Sequence, residues 1–210
     1  MALSNTVFWE VDVQVDFMLR GGRLYVPGAE SIVGNVSRLV DAARKGRVFL
    51  ISSADAHNAD DPELREWPPH CLKDSPGAAL LPEACASPRL IIPNQRDFSI
   101  PQEFGDVRQI TLEKNTLDVF DNPNTDALLA QGNRTGTPFA ASDSEFIVFG
   151  VATEYCVRCT ANGLLQRGYK VALVLDAIHA IEPEEGEQVI GDLRLKGAQL
   201  ISTQAALALV

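Results

Sequence analysis

The strongest constraint in this sequence is its alternation of short apolar runs with helical patterns. Residues 6–13 read as a buried strand. Residues 29–45 place Ile32, Val33, Val36, Leu39, Val40 and Ala43 at helical spacing and end at Gly46, a natural C-terminal glycine. Residues 48–52 read as a second strand, and 90–93 and 107–112 as two shorter extended segments. A strong buried strand follows at 146–151, then a helix over 154–166 closed by Gly168. Strands at 171–175 and 199–201 flank a helix over 184–196. Strand and helix in turn imply βαβ units. The expected class is α/β: a three-layer α-β-α sandwich around a mostly parallel sheet of about six strands. At 210 residues, one domain spanning 1–210 is the expectation.

Charge and composition narrow the function classes. The net charge of −10 argues against nucleic acid as a partner, because phosphate binding needs clustered Lys and Arg. No apolar run approaches the ~20 residues of a membrane helix, and residues 1–8 lack a signal-peptide pattern. Four cysteines without such a signal point to a reducing compartment, so a cytoplasmic location is expected. The acidic cluster Glu182, Glu184, Glu185 and Glu187 suits a solvated helix start. A small-molecule partner is expected, and association with further copies of the chain is left open.

In open α/β sheets, ligands bind beyond the carboxyl ends of the strands. Here the first strand ends at Asp12, followed by Gln14 and Asp16. The second runs into Asp55-Ala56-His57, another into Glu113-Lys114, and the 146–151 strand into Gly150-Val151-Ala152-Thr153-Glu154-Tyr155-Cys156. The irregular stretch over 54–88 is too long for an idle loop. Cys156 falls at a strand-to-helix turn, where backbone N–H groups and the helix dipole favour a thiolate, so a depressed thiol pKa is expected. Packing is the competing reading for every cysteine, and it is the one taken for Cys71, Cys85 and Cys159. Cys156-Val157-Arg158-Cys159 also spells the C-x-x-C of redox sites, with nothing else to support it. With only three histidines in the chain, Asp12 is the candidate base for the thiol and Lys114 the candidate stabiliser of negative charge. A structural Asp–Lys ion pair is the alternative. Asp55, His57 and His70 form a plausible ligand set for Zn, Fe or Mn, with loop capping as the competing role.

These segments resemble a known family. Asp12-Val13-Gln14-Val15-Asp16-Phe17, Trp67-Pro68-Pro69-His70-Cys71, Glu113-Lys114 and the run from Gly150 to Val157 look like the motifs of the isochorismatase-like cysteine hydrolases. Within it, the nicotinamidase (pyrazinamidase) branch is the most similar. The resemblance covers nearly the whole chain, although 88–106 has no clear counterpart. It implies a catalytic trio of Asp12, Lys114 and Cys156, and a cis peptide between Val151 and Ala152. The N–H groups of Ala152 and Cys156 would then form an oxyanion hole. Members acting on isochorismate lack the nucleophilic cysteine, so Cys156 points to amide hydrolysis.

The resemblance also implies a divalent metal, zinc first and iron or manganese next, at Asp55, His57 and His70. Its role would be to bind the pyridine nitrogen of nicotinamide. Glu63 is the candidate further ligand, with Asp60 and Asp61 as rivals. His179 matches no functional position and is read as structural or surface. Phe17, Leu24 and Trp67 are candidates for the pocket wall, with core packing as the alternative. Glu154 and Tyr155 are read as shaping the mouth. The rival functions are a metal-independent sibling amidohydrolase (maleamate, biuret or ureidoacrylate type) and a non-catalytic small-ligand protein.

Overall fold

The computed structural model of the chain describes residues 5–131 and 144–210; residues 1–4, which begin the N-terminal stretch searched for a signal peptide, lie outside. Its centre is a seven-stranded sheet in which every pairing is parallel: β1 (Thr6–Val11), β2 (Phe49–Asp55), β3 (Arg89–Ile92), β4 (Gln109–Lys114), β5 (Glu145–Val151), β6 (Lys170–His179) and β7 (Gln199–Ile201). The spatial order is β3-β4-β2-β1-β5-β6-β7. The sheet is therefore fully parallel rather than mostly so, and has seven strands rather than about six, because both short extended segments pair. Every residue of β1 and β2 is buried, as strands covered on both faces require.

The described α-helices are α1 (Val15–Met18), α2 (Val33–Arg44), α3 (Thr125–Gln131), α4 (Arg158–Gln166), α5 (Pro183–Leu195) and α6 (Thr203–Ala208). α2 packs with α6 on one face, and α4 with α5 on the other. α2 follows β1 and α4 follows β5, so the chain leaves these adjacent strands toward opposite faces. That divergence is the place where open α/β sheets bind ligands. Among the described residues, no helix is long and apolar enough to cross a membrane.

Element boundaries differ from the sequence reading for local reasons. β1 stops at Val11 because Asp12 turns into a left-handed conformation, with φ of 52°. Asp tolerates that region better than most residues. β6 runs on through the exposed Leu175 and Asp176 to His179, because Ala177 and Ile178 return to the core. α1, α3 and α6 are too short to give a readable helical period. His179 is structural in placement: its Nε2 pairs at 2.9 Å with the Pro27 carbonyl, tying the end of β6 to the segment before α2.

Candidate active site and metal centre

The four central strands β4, β2, β1 and β5 end side by side and deliver Lys114, Asp55, Asp12 and the turn carrying Cys156 to one rim. Gly150 permits this closeness. It has φ of 123°, and a Cβ there would run into the Val11 backbone. The peptide between Val151 and Ala152 is cis. A five-residue π-turn, Thr153–Val157, then leads into α4 and holds Cys156. Turns of this type recur at functional sites.

Lys114 sits at the centre, 1% exposed. Its Nζ lies 3.0 Å from Asp12 Oδ2 and 3.5 Å from Cys156 Sγ, and it also donates to Asp55 Oδ1. Ser53 Oγ donates to Asp12 Oδ1 at 2.7 Å. The structure thus gathers Asp12 and Cys156 around the Lys114 amine. It also gives Asp12 a partner, Ser53, that the sequence reading missed, although Ser53 lies two residues before the Asp55 already singled out.

The electrostatics follow from this packing. Burial works against the Lys114 charge, but Asp12, Asp55 and Cys156 outweigh it and hold the amine protonated. Burial also opposes ionisation of Asp55, yet Lys114 and the two histidines keep it ionised. For Asp12, burial raises the carboxyl above its ordinary range; Lys114 pulls it down and Asp55 pushes it up again. Cys156 corrects an expectation. Its thiol lies well above the usual thiol range rather than below it. Burial dominates, and the Asp12 and Asp55 charges add to it against the pull of Lys114. The resting group is a neutral thiol, so any attack from Cys156 requires proton removal.

Beside this trio stands a group of donors. One ligand atom each from Asp55, His57, Glu63 and His70 lies within 4.8 Å of the others. The segment after β2 is held so that they converge. Gln14 clamps Asp55 by its backbone, with the Asp55 N–H donating to Gln14 Oε1 and Gln14 Nε2 donating to the Asp55 carbonyl, both at 2.8 Å. Asp16 Oδ2 accepts the Cys71 N–H at 2.7 Å, which fixes the residue next to His70. His70 Nδ1 pairs with the Pro68 carbonyl at 2.8 Å, leaving Nε2 toward Asp55 at 3.4 Å. His57 is buried, and neither ring nitrogen has a hydrogen-bond partner. Two buried, unsatisfied nitrogens are costly, and a cation held among these donors would satisfy the one facing Asp55. The residues therefore fit a divalent metal, with the open-position N/O ligand set such ions use.

Among the rival carboxylates, Asp60 is exposed. Asp61 accepts the Asn58 N–H at 2.8 Å and stands 3.5 Å from His57 Nδ1, outside the donor group. Cys71 points to the Gly77 carbonyl and adds no ligand to the group. All four cysteines are free thiols.

One pocket meets both groups, lined by Cys156 from the first and by Asp55, Glu63 and His70 from the second. Phe17, Leu24, Trp67 and Tyr155 all line it, together with Ala152 and Cys156. Val26, Leu117 and Ile181 also line it and were missed in the sequence, where single apolar residues carry no distinguishing signal. Trp67 and Tyr155 meet edge to face at 5.3 Å, and Phe17 lies 5.3 Å from the His70 ring.

A family model described as the Isochorismatase domain matches residues 7–100 and 88–205. The chain belongs to the isochorismatase family. The nicotinamidase of Escherichia coli K12 is 27% identical over 219 residues, covering 90% of this chain and 91% of its own length. The pyrazinamidase of Pyrococcus horikoshii, solved in complex with zinc, superposes with a TM-score of 0.72 at 24% identity, over 94% of this chain and 99% of that one. N-carbamoylsarcosine amidase from Thermoplasma acidophilum gives 0.71 at 25% identity, over 94% and 96%. Isochorismatase-family relatives thus include hydrolases of different amides on this α-β-α sandwich.

Proposed function

We propose that this protein is a nicotinamidase, hydrolysing nicotinamide to nicotinate and ammonia and accepting pyrazinamide as well. One observation carries the reading. Cys156, from the cluster with Asp12 and Lys114, and Asp55, Glu63 and His70, from the donor group with His57, line a single pocket whose remaining wall is aromatic and aliphatic. A flat heteroaromatic amide has a use for all three parts.

Asp12 takes the proton of Cys156 as the sulfur attacks the carboxamide carbon. Lys114 offsets the negative charge that moves between sulfur and carboxylate. The N–H groups of Ala152 and Cys156 receive the oxyanion. Asp12 returns the proton to the departing ammonia, leaving a thioester on Cys156. Asp12 then takes a proton from water, which attacks the thioester and frees nicotinate, and the proton goes back to the thiol. Asp55, His57, His70 and Glu63 would hold a divalent ion, zinc first with iron or manganese as the others. When bound, it supplies a Lewis-acid anchor for the ring nitrogen. The reaction belongs to salvage of the pyridine ring in the cytoplasm.

The second reading is a sibling amidase of the kind the N-carbamoylsarcosine enzyme exemplifies. The lining weighs against it. Maleamate, ureidoacrylate and N-carbamoylsarcosine each carry a carboxylate, which a pocket recognises with Arg or Lys. Among the described residues the lining offers neither, and presents Asp55 and Glu63 instead. Biuret is neutral but has no ring for the Trp67–Tyr155 wall. Ammonia release measured across nicotinamide, pyrazinamide, maleamate, biuret and N-carbamoylsarcosine tests the proposal. Turnover of the two ring amides alone is expected. Preference for an acyclic amide would overturn it.

A further inference from the structure

The turn that carries Cys156 also carries a carboxylate that the mechanism does not use. Glu154 is 3% exposed, and its Oε1 accepts two backbone N–H groups, those of Ile181 and Glu182, both at 2.8 Å. Its Oε2 is buried with no hydrogen-bond partner. A buried carboxylate with one oxygen unsatisfied is an expensive way to tie down a loop. The setting adds to the cost, since Glu182, Glu184 and Glu185 open α5 beside it. The sequence reads Glu154 as shaping the pocket mouth; the structure buries it, and it does not line the pocket.

What Glu154 holds is informative. β6 ends at His179, paired alongside Val151, and α5 begins at Pro183. Only residues 180–182 connect them, and Glu154 fixes two of the three N–H groups. Glu182, the residue capping α5, makes no side-chain cap of its own. Ile181 lines the pocket with Ala152, Tyr155 and Cys156. One short turn therefore presents the thiol and, through Glu154, grips the strip of backbone that carries another part of the wall.

We propose that Glu154 is a positioning residue that sets the width of the pocket by clamping the Ile181–Glu182 backbone, so that Ile181 selects single flat rings over bulkier groups. This deepens the reading of the pocket as the amide site, and it can be tested without turnover. Alkylation of Cys156 by iodoacetamide and by its bulkier N-phenyl derivative is followed by mass spectrometry of the Cys156 peptide, at a pH where the wild type reacts. The ratio of the two rates reports pocket width and does not depend on which amide is the substrate.

In Glu154→Ala and in Ile181→Ala the N-phenyl reagent should gain about tenfold over iodoacetamide, the scale on which apolar walls discriminate. In Glu154→Gln the amide oxygen still accepts both N–H groups, and the ratio should stay within about twofold of wild type. With nicotinamide, KM should rise in the two Ala variants while kcat holds. An unchanged ratio in either Ala variant overturns the proposal, as does a Gln variant that behaves like Ala. If Glu154→Ala does not fold, Glu154→Asp, which keeps the charge but shortens the reach, should show the same gain. Failure of wild type to release ammonia from nicotinamide would sink the proposed substrate, while the alkylation ratio would still decide the role of Glu154.

Discussion

The Lys114 ammonium lies 3.0 Å from the Asp12 carboxylate, with both groups removed from solvent. The same cation also neutralises Asp55. A single lysine thus compensates two buried acids that would otherwise repel each other. Replacing one member of such a group leaves buried charge without a partner, and the usual cost is about 3–5 kcal/mol. Lys114→Met should therefore lose stability on that scale in urea unfolding, in addition to losing activity. A loss below about 1 kcal/mol, the range of surface pairs, would mean that the cluster is far more hydrated than its burial indicates.

The raised Cys156 thiol sets a pH signature. A thiol held above its ordinary range is protonated at neutral pH, and its thiolate population grows only as pH rises through that elevated value. Iodoacetamide labelling of Cys156 in the free protein should still be increasing at a pH where an ordinary exposed thiol is fully labelled. Asp12 opposes the thiolate by its charge, so Asp12→Asn should move the labelling midpoint down while abolishing turnover. A labelling midpoint near neutrality in wild type, or an upward shift in the variant, would contradict these electrostatics.

Metal should matter for both stability and activity. Dialysis against a chelator is expected to abolish ammonia release, and zinc should restore it. With zinc at about 100 times its Kd, binding contributes about 2.7 kcal/mol, a rise in Tm on the order of 5–10 °C for a chain of this size. His57→Ala and His70→Ala should each remove that rise, measured by scanning calorimetry with and without zinc. A full zinc-dependent shift in both variants would place the ion elsewhere.

Much of the fold and the site was legible in the sequence because parallel sheets write clearly. Their strands are buried on both faces and read as continuous apolar runs. The rule that ligands sit beyond strand ends turns those runs into a search for Asp12, Asp55, Lys114 and Cys156. Three kinds of feature were not legible. Short helices such as Val15–Met18 and Thr203–Ala208 have too few turns to show a period. Partners such as Ser53 and Ile181 are ordinary residues whose role comes from what the fold places beside them. The Cys156 pKa went the other way because a turn position suggests helix-dipole stabilisation, whereas burial beside two carboxylates is visible only in three dimensions.

The most direct test of the central claim is ammonia release from nicotinamide by wild type and by Cys156→Ala, with circular dichroism to confirm that both are folded. Loss of a nucleophile typically costs on the order of 10⁴-fold or more in kcat. Steady ammonia and nicotinate production by wild type, with none detectable from the folded Cys156→Ala protein, is the predicted result. Comparable release from both would contradict catalysis through a thioester at Cys156.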